Sequence, residues 1–182
     1  ASGLAMGYTL YLGAALAWAE GDPAAALALL DDCLARRRDQ GPATDVAATL
    51  SARSATRLSG GDAAGAQADA QEALAMFRAA GHRVGEAITL LQLGQAEAFA
   101  VDAADAGAEA DALARAEAHL QAALQIARAI KHPETEGETE RALADLALAA
   151  GATAQAAAGY ARSLAVCAAA GDLRNEAQAR AG

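Results

Sequence analysis

The chain has 182 residues, roughly a third of them alanine, and a formal net charge of −9. An acid excess of this size disfavours nonspecific binding to nucleic-acid phosphates. No apolar run of about eighteen residues and no leader peptide is visible. Val, Ile and Thr are scarce and no alternating run of strand length occurs, so an all-α chain is expected.

The first expected helix, residues 3–20, holds Tyr8, Tyr11 and Trp18, half of the chain's aromatics, with Tyr11 and Trp18 seven residues apart on one face. Gly21 ends it, Asp22 is placed to cap the next helix, and Pro23 fits its first turn, so a second helix follows over 23–39. That helix closes on Arg36-Arg37-Arg38, cations that complement the macrodipole of a last turn. Gly41 and Pro42 lead into 43–59, where Arg53 and Arg57, one turn apart, read as a solvated ridge. Gly61-Asp62 repeats the stop-and-cap signal before 63–80, and Gly81 precedes 83–101. Residues 101–110 are polar and alanine-rich, an insertion that either lengthens helices or forms an exposed loop. Helices are then expected over 108–130, 134–150, 153–170 and 173–181, with Thr135 and Glu138 forming a capping box and Asp172 capping the last. His82 and His132 share a post-helix position, which suggests surface loops or C-caps.

The Gly-Asp signal belongs to a longer repeat. Asp22–Pro42 aligns with Asp62–His82, forty residues on, then with Ala112–His132 and Ala152–Asp172 after steps of fifty and forty. One column reads Ala26, Ala66, Ala116 and Ala156; another Cys33, Ala73, Ala123 and Ser163; the next Leu34, Leu74, Leu124 and Leu164. Spacings of seven and one keep these on one stripe of a helix, small residues admitting a neighbouring backbone and leucines filling the remaining volume. Short connections force consecutive helices to lie antiparallel. The expectation is one continuous array of units near 3–41, 42–81, 82–131 and 132–171 with a partial fifth over 172–182, a fragment of a larger protein.

On these columns the chain resembles the tetratricopeptide repeat family, in its longer-unit form as found in kinesin light chains and bacterial signalling regulators. The small eighth position of the first helix is Ala14, Ser54, Gly94 and Ala144; the twentieth is the alanine column and the twenty-seventh the small-residue column above. The large fourth position is Leu10, Leu50 and Leu90, but Glu140 in the last unit. The eleventh-position aromatic is absent (Ala17, Arg57, Glu97, Ala147), and the unit is forty residues rather than thirty-four. HEAT-like helix pairs share the period. The resemblance implies a right-handed α-α superhelix of about four helix pairs and a final half unit, whose first helices line a concave groove. Transferred to this sequence, that lining includes Tyr8, Tyr11, Trp18, Ser51, Leu58, Leu91, Gln95, Arg141 and Asp145. Such a lining is mostly apolar, aromatic at one end and polar at the other, and suits an amphipathic helix or apolar peptide.

Catalytic patterns are lacking. No His-x-x-x-His, paired-cysteine, phosphate-loop or nucleophile-elbow motif occurs, and Glu134, Glu136, Glu138 and Glu140 fan around a helix rather than converging. Cys33 and Cys167 fall in different units, so a reducing, cytoplasmic setting is expected. The expected function is a non-enzymatic scaffold or regulatory module without cofactor or metal. It would hold a protein or peptide within a larger bacterial signalling or transcription regulator. It would not contact nucleic acid or membrane, and association through its terminal helices is left open. The alternative is a domain that senses a small-molecule effector, for which a dry, enclosed pocket near Trp18 or Arg141 would speak.

Overall fold

The computed structural model describes residues 3–100, 106–171 and Arg180. Among them are eight helices and no strand: α1 (Gly3–Ala19), α2 (Pro23–Gln40), α3 (Ala43–Ser59), α4 (Ala63–Ala79), α5 (Arg83–Ala100), α6 (Ala106–Ile130), α7 (Pro133–Ala149) and α8 (Thr153–Ala170). Helix packs on consecutive helix: α1 with α2, α2 with α3, α3 with α4, α6 with α7, and α7 with α8. The expected ninth helix, apart from Arg180, and its Asp172 cap fall outside the described residues. The chain divides into two compact units, Ala1–Gly85 and Glu86–Gly182.

Turn chemistry sets the boundaries. Gly21, Gly61, Gly81, Gly151 and Gly171 all have positive φ, a conformation that glycine adopts without a Cβ penalty. Lys131 takes the same role with φ 55°, the only non-glycine to do so among the described residues. Asp22, Asp62, His132 and Ala152, each following one of these turns, are the N-caps of α2, α4, α7 and α8. Asp22 accepts from the Ala25 N–H at 2.9 Å and Asp62 from the Gly65 N–H at 2.8 Å. The histidines, which lie in the short connections after α4 and α6 as a loop reading has it, do the same work as N-caps of the next helix rather than as C-caps. His82 Nδ1 accepts from the Gly85 N–H at 3.0 Å, and His132 Nδ1 from the Thr135 N–H at 3.4 Å. A neutral imidazole nitrogen is an acceptor and replaces the aspartate oxygen. The Thr135–Glu138 capping box is thereby displaced, because α7 already starts at Pro133 and Thr135 is buried inside it.

Within the first unit the stripe behaves as its spacing requires. Ala26, Cys33, Ala66, Ala70 and Ala73 are wholly buried, and Leu34, Val46, Ala47, Leu50, Ala73 and Phe77 form a continuous core between α2, α3 and α4. In the second unit Leu90, Leu93, Leu120, Ala116 and Ala123 are buried. Each buried leucine contributes about 2–3 kcal/mol through the water it excludes. Gly94 lets α5 approach α6 closely: a Cβ there would lie 2.6 Å from Leu120 Cγ and 3.0 Å from the Ala116 carbonyl. The third-unit insertion lengthens the second helix of its pair. α6 has 25 residues against 17 or 18 elsewhere and takes up Ala106–Ala110, while residues 101–105 are outside the described set.

Ion pairs fill positions where the family pattern wants aromatics or leucine. Arg53 and Arg57 are not a solvated ridge but close on Asp69, a carboxylate buried on α4. Arg53 reaches it through Nε at 2.8 Å and Nη2 at 2.6 Å, and Arg57 through Nη1 at 2.9 Å. Arg53 also meets Asp31 at 2.6 Å, tying α2 to α3. These bonds, that to Asp69 foremost, hold the Arg53 guanidinium firmly protonated. At the same repeat position in the next pair, a carboxylate replaces the arginine: Glu97 lies 3.5 Å from His119. Glu140, the departure from the leucine column, is buried between Arg128 at 2.5 Å and Arg162 at 2.9 Å.

Candidate partner-binding groove

α1 (GLAMGYTLYLGAALAWA) has no charged side chain and needs none on the faces it packs against α2. Its Ala14 and Ala17 are buried, while Met6, Tyr8, Leu12, Leu16 and Trp18 remain exposed. Those five are most of the large apolar side chains left exposed among the described residues, joined by Phe99 and Leu148. A surface this apolar marks an interaction site more often than chance exposure does.

Between α1 and α3 the surface sinks into a socket of about 200 Å³ lined by Tyr11, Ala14, Ala15, Trp18, Leu30, Ala52, Ala55 and Thr56. Its walls follow from sequence. Alanines at 52 and 55 leave room that a larger residue on α3 would occupy, and Leu30 of α2 closes the floor. Tyr11 forms one wall. Its ring stacks on the Arg37 guanidinium, with Cζ 4.9 Å from the ring centroid. Burial, partly offset by the Arg37 charge, raises the Tyr11 phenol above its ordinary value of 10.0.

The other residues expected to line the groove are distributed unevenly. Tyr8 is 61% exposed on α1, outside the socket. Ser51 is buried on α3 and Leu58 half-buried near its end. In the second unit Leu91 is buried and Gln95 half-buried on α5. Arg141 and Asp145 are brought together, Nη1 donating to Oδ2 at 2.7 Å, and Tyr160 of α8 donates its hydroxyl to Asp145 Oδ1 at 2.7 Å. That bond, with burial second, raises the Tyr160 phenol. Arg141 Nε is sealed without a hydrogen-bond partner, and Glu97 Oε2 and His119 Nδ1, 3.5 Å apart, have no hydrogen bond either.

Residues that the sequence reading passed over also belong to the socket. Leu30 and Ala52 lie in its lining, and Arg37 stands behind Tyr11. Arg37 was legible in principle: 26, 30, 33 and 37 continue one stripe of α2, and all four residues are buried.

A second hollow, about 500 Å³, lies among α6, α7 and α8 and includes Leu113, Glu117, Gln121, Leu146, Gln155 and Arg162. It is wider and more polar than the socket at Trp18. Among the described residues no group of three or more His, Cys, Asp or Glu side chains is placed to hold a metal ion. No helix there is long and apolar enough to cross a membrane.

No family model matches the chain, and no curated protein matches it. Among solved structures the chain is similar to aspartyl phosphate phosphatase F from Bacillus subtilis, with a TM-score of 0.77 over 96% of this chain at 10% sequence identity. It spans 43% of the length of that protein's chain. At this identity the likeness shows the fold, an all-helical solenoid of the tetratricopeptide kind.

Proposed function

We propose that the chain is a protein-interaction module, without catalytic activity of its own, that receives a peptide segment of a partner in the groove between α1 and α3. Tyr11 and Trp18 anchor the segment, and Tyr8 extends the contact. The parent activity would be that of a bacterial signalling or transcription regulator, working in the cytoplasm. The observation that supports this most is the socket itself. At about 200 Å³ it is smaller than the roughly 300–1,000 Å³ of sites that enclose a drug-sized ligand, and matches one large apolar side chain. Tyr and Trp are also the residues that most often dominate binding energy at such points. The buried carboxylates Asp69 and Glu140 are each held by two arginines, which commits them to the architecture rather than to proton transfer.

Random twelve-residue peptides displayed on phage and selected on the intact chain test this reading. Selected peptides should bind the unaltered chain and lose at least about tenfold in affinity to Trp18→Ala and Tyr11→Ala, the loss expected when an anchor is truncated. Peptides whose affinity neither substitution changes would place the binding surface elsewhere.

A further inference from the structure

Arg37 is the only arginine in the buried class among the described residues, at 7% exposure. Arg53, Arg57, Arg128, Arg141 and Arg162, all more exposed, each meet a carboxylate. Arg37 meets none among the described residues. Its Nη1 donates to the Thr49 hydroxyl at 2.8 Å and to the Asp45 carbonyl at 3.0 Å, and its face rests on Tyr11. Nε and Nη2 donate to no described residue, and neither is among the polar atoms sealed without a partner. A guanidinium taken out of water without a counter-charge is costly, and the neutral partners offset only part of that. The fork-shaped edge it leaves unused is the one that grips a carboxylate bidentately.

The placement gives this edge a use. Tyr11 touches Arg37 and also forms a wall of the apolar socket, so a cation and an apolar hole share one ring. Arg38, next to Arg37 on α2, is already held by Glu72 at 2.6 and 2.7 Å, so Arg37 is the cation beside Tyr11 that has no carboxylate partner among the described residues. On a helical peptide, side chains three or four residues apart lie about 5–6 Å from one another, which suits a carboxylate and an apolar group reaching neighbouring points. We propose that the partner segment is an acidic amphipathic peptide. Its large apolar side chain enters the Tyr11–Trp18 socket, and an Asp or Glu carboxylate pairs with Nε and Nη2 of Arg37. This inference rests on the groove reading above and adds the charge of the occupant.

The test uses the same selected peptides, with binding followed by fluorescence of Trp18, the chain's single tryptophan. Enriched sequences should carry Asp or Glu three or four positions from Leu, Phe or Trp. Replacing that Glu by Gln in a selected peptide should weaken binding to the unaltered chain about tenfold or more, and far less to Arg37→Met, the pattern of a direct coupling. The Arg37 Nε–H resonance of the unaltered chain should move on adding the Glu peptide and not on adding its Gln counterpart, a readout that holds even if Arg37→Met does not fold. Selected peptides that perturb Trp18 but are neutral or basic, or are indifferent to Glu→Gln, would overturn the carboxylate pairing and leave the groove standing. If no selected peptide perturbs Trp18, both readings fall.

Discussion

Asp69 shows how one side chain can hold several helices. Its carboxylate is buried, and two arginines from α3 converge on it, one of them also tied to α2 through Asp31. Asp69→Ala removes the buried carboxylate that the two guanidinium groups share, leaving Arg53 to Asp31 and Arg57 to Asp62, and should cost about 3 kcal/mol by urea unfolding. Lys131 is the opposite case. Its positive φ strains an L-residue by about 1 kcal/mol where the other turns use glycine, so Lys131→Gly should raise the melting temperature. The Tyr11 phenol has a raised pKa, so the folded state holds its proton more tightly than the unfolded chain does. That contribution is intact below the unfolded value of 10.0 and is lost as pH climbs through the higher folded value. Tyr11→Phe should therefore show a smaller fall in stability than the unaltered chain between about pH 9 and about pH 11, read by chemical denaturation. Such roles were poorly legible in sequence. Arg53 and Arg57 stand one turn apart, which by itself says surface ridge. Only the packing of α4 against α3 brings Asp69 between them.

Helix limits were the most legible feature, because Gly, Asp and Pro act locally. Gly21-Asp22-Pro23 states a stop, a cap and a start within three residues, and α2 begins at Pro23. The histidine caps were hidden because an imidazole caps only in one protonation state and orientation, which composition does not reveal. Helix interiors offer a paired test. Gly13 has open room, with an added Cβ meeting only Leu29 Cδ1 at 3.5 Å, whereas a Cβ at Gly94 would collide with Leu120 and approach the Ala116 carbonyl. Gly13→Ala should stabilise α1 by up to about 1 kcal/mol through helix propensity. Gly94→Ala should instead lose about 1–3 kcal/mol, since overpacking at a backbone contact outweighs the same propensity gain. Thermal melts of both variants, followed by circular dichroism, check the two signs together.

At the scale of the whole chain, the repeat carried the fold. A forty-residue beat with unbroken leucine and small-residue columns leaves few options but stacked helix pairs, and the similarity to a solved structure at 10% identity and a TM-score of 0.77 shows a shared helical fold. The site was only half legible. The aromatics Tyr11 and Trp18 announced themselves, but a socket is a property of what is missing, here the side chains that Ala52 and Ala55 lack, and absences emerge only once α3 lies beside α1. The most direct measurement is therefore a map of where a selected peptide binds, from amide and indole chemical shifts of the uniformly labelled chain. Binding in the groove predicts shifts concentrated on α1 and α3, with the Trp18 indole N–H among the largest. Shifts confined to residues 86–171, with α1 and Trp18 unmoved, would contradict it.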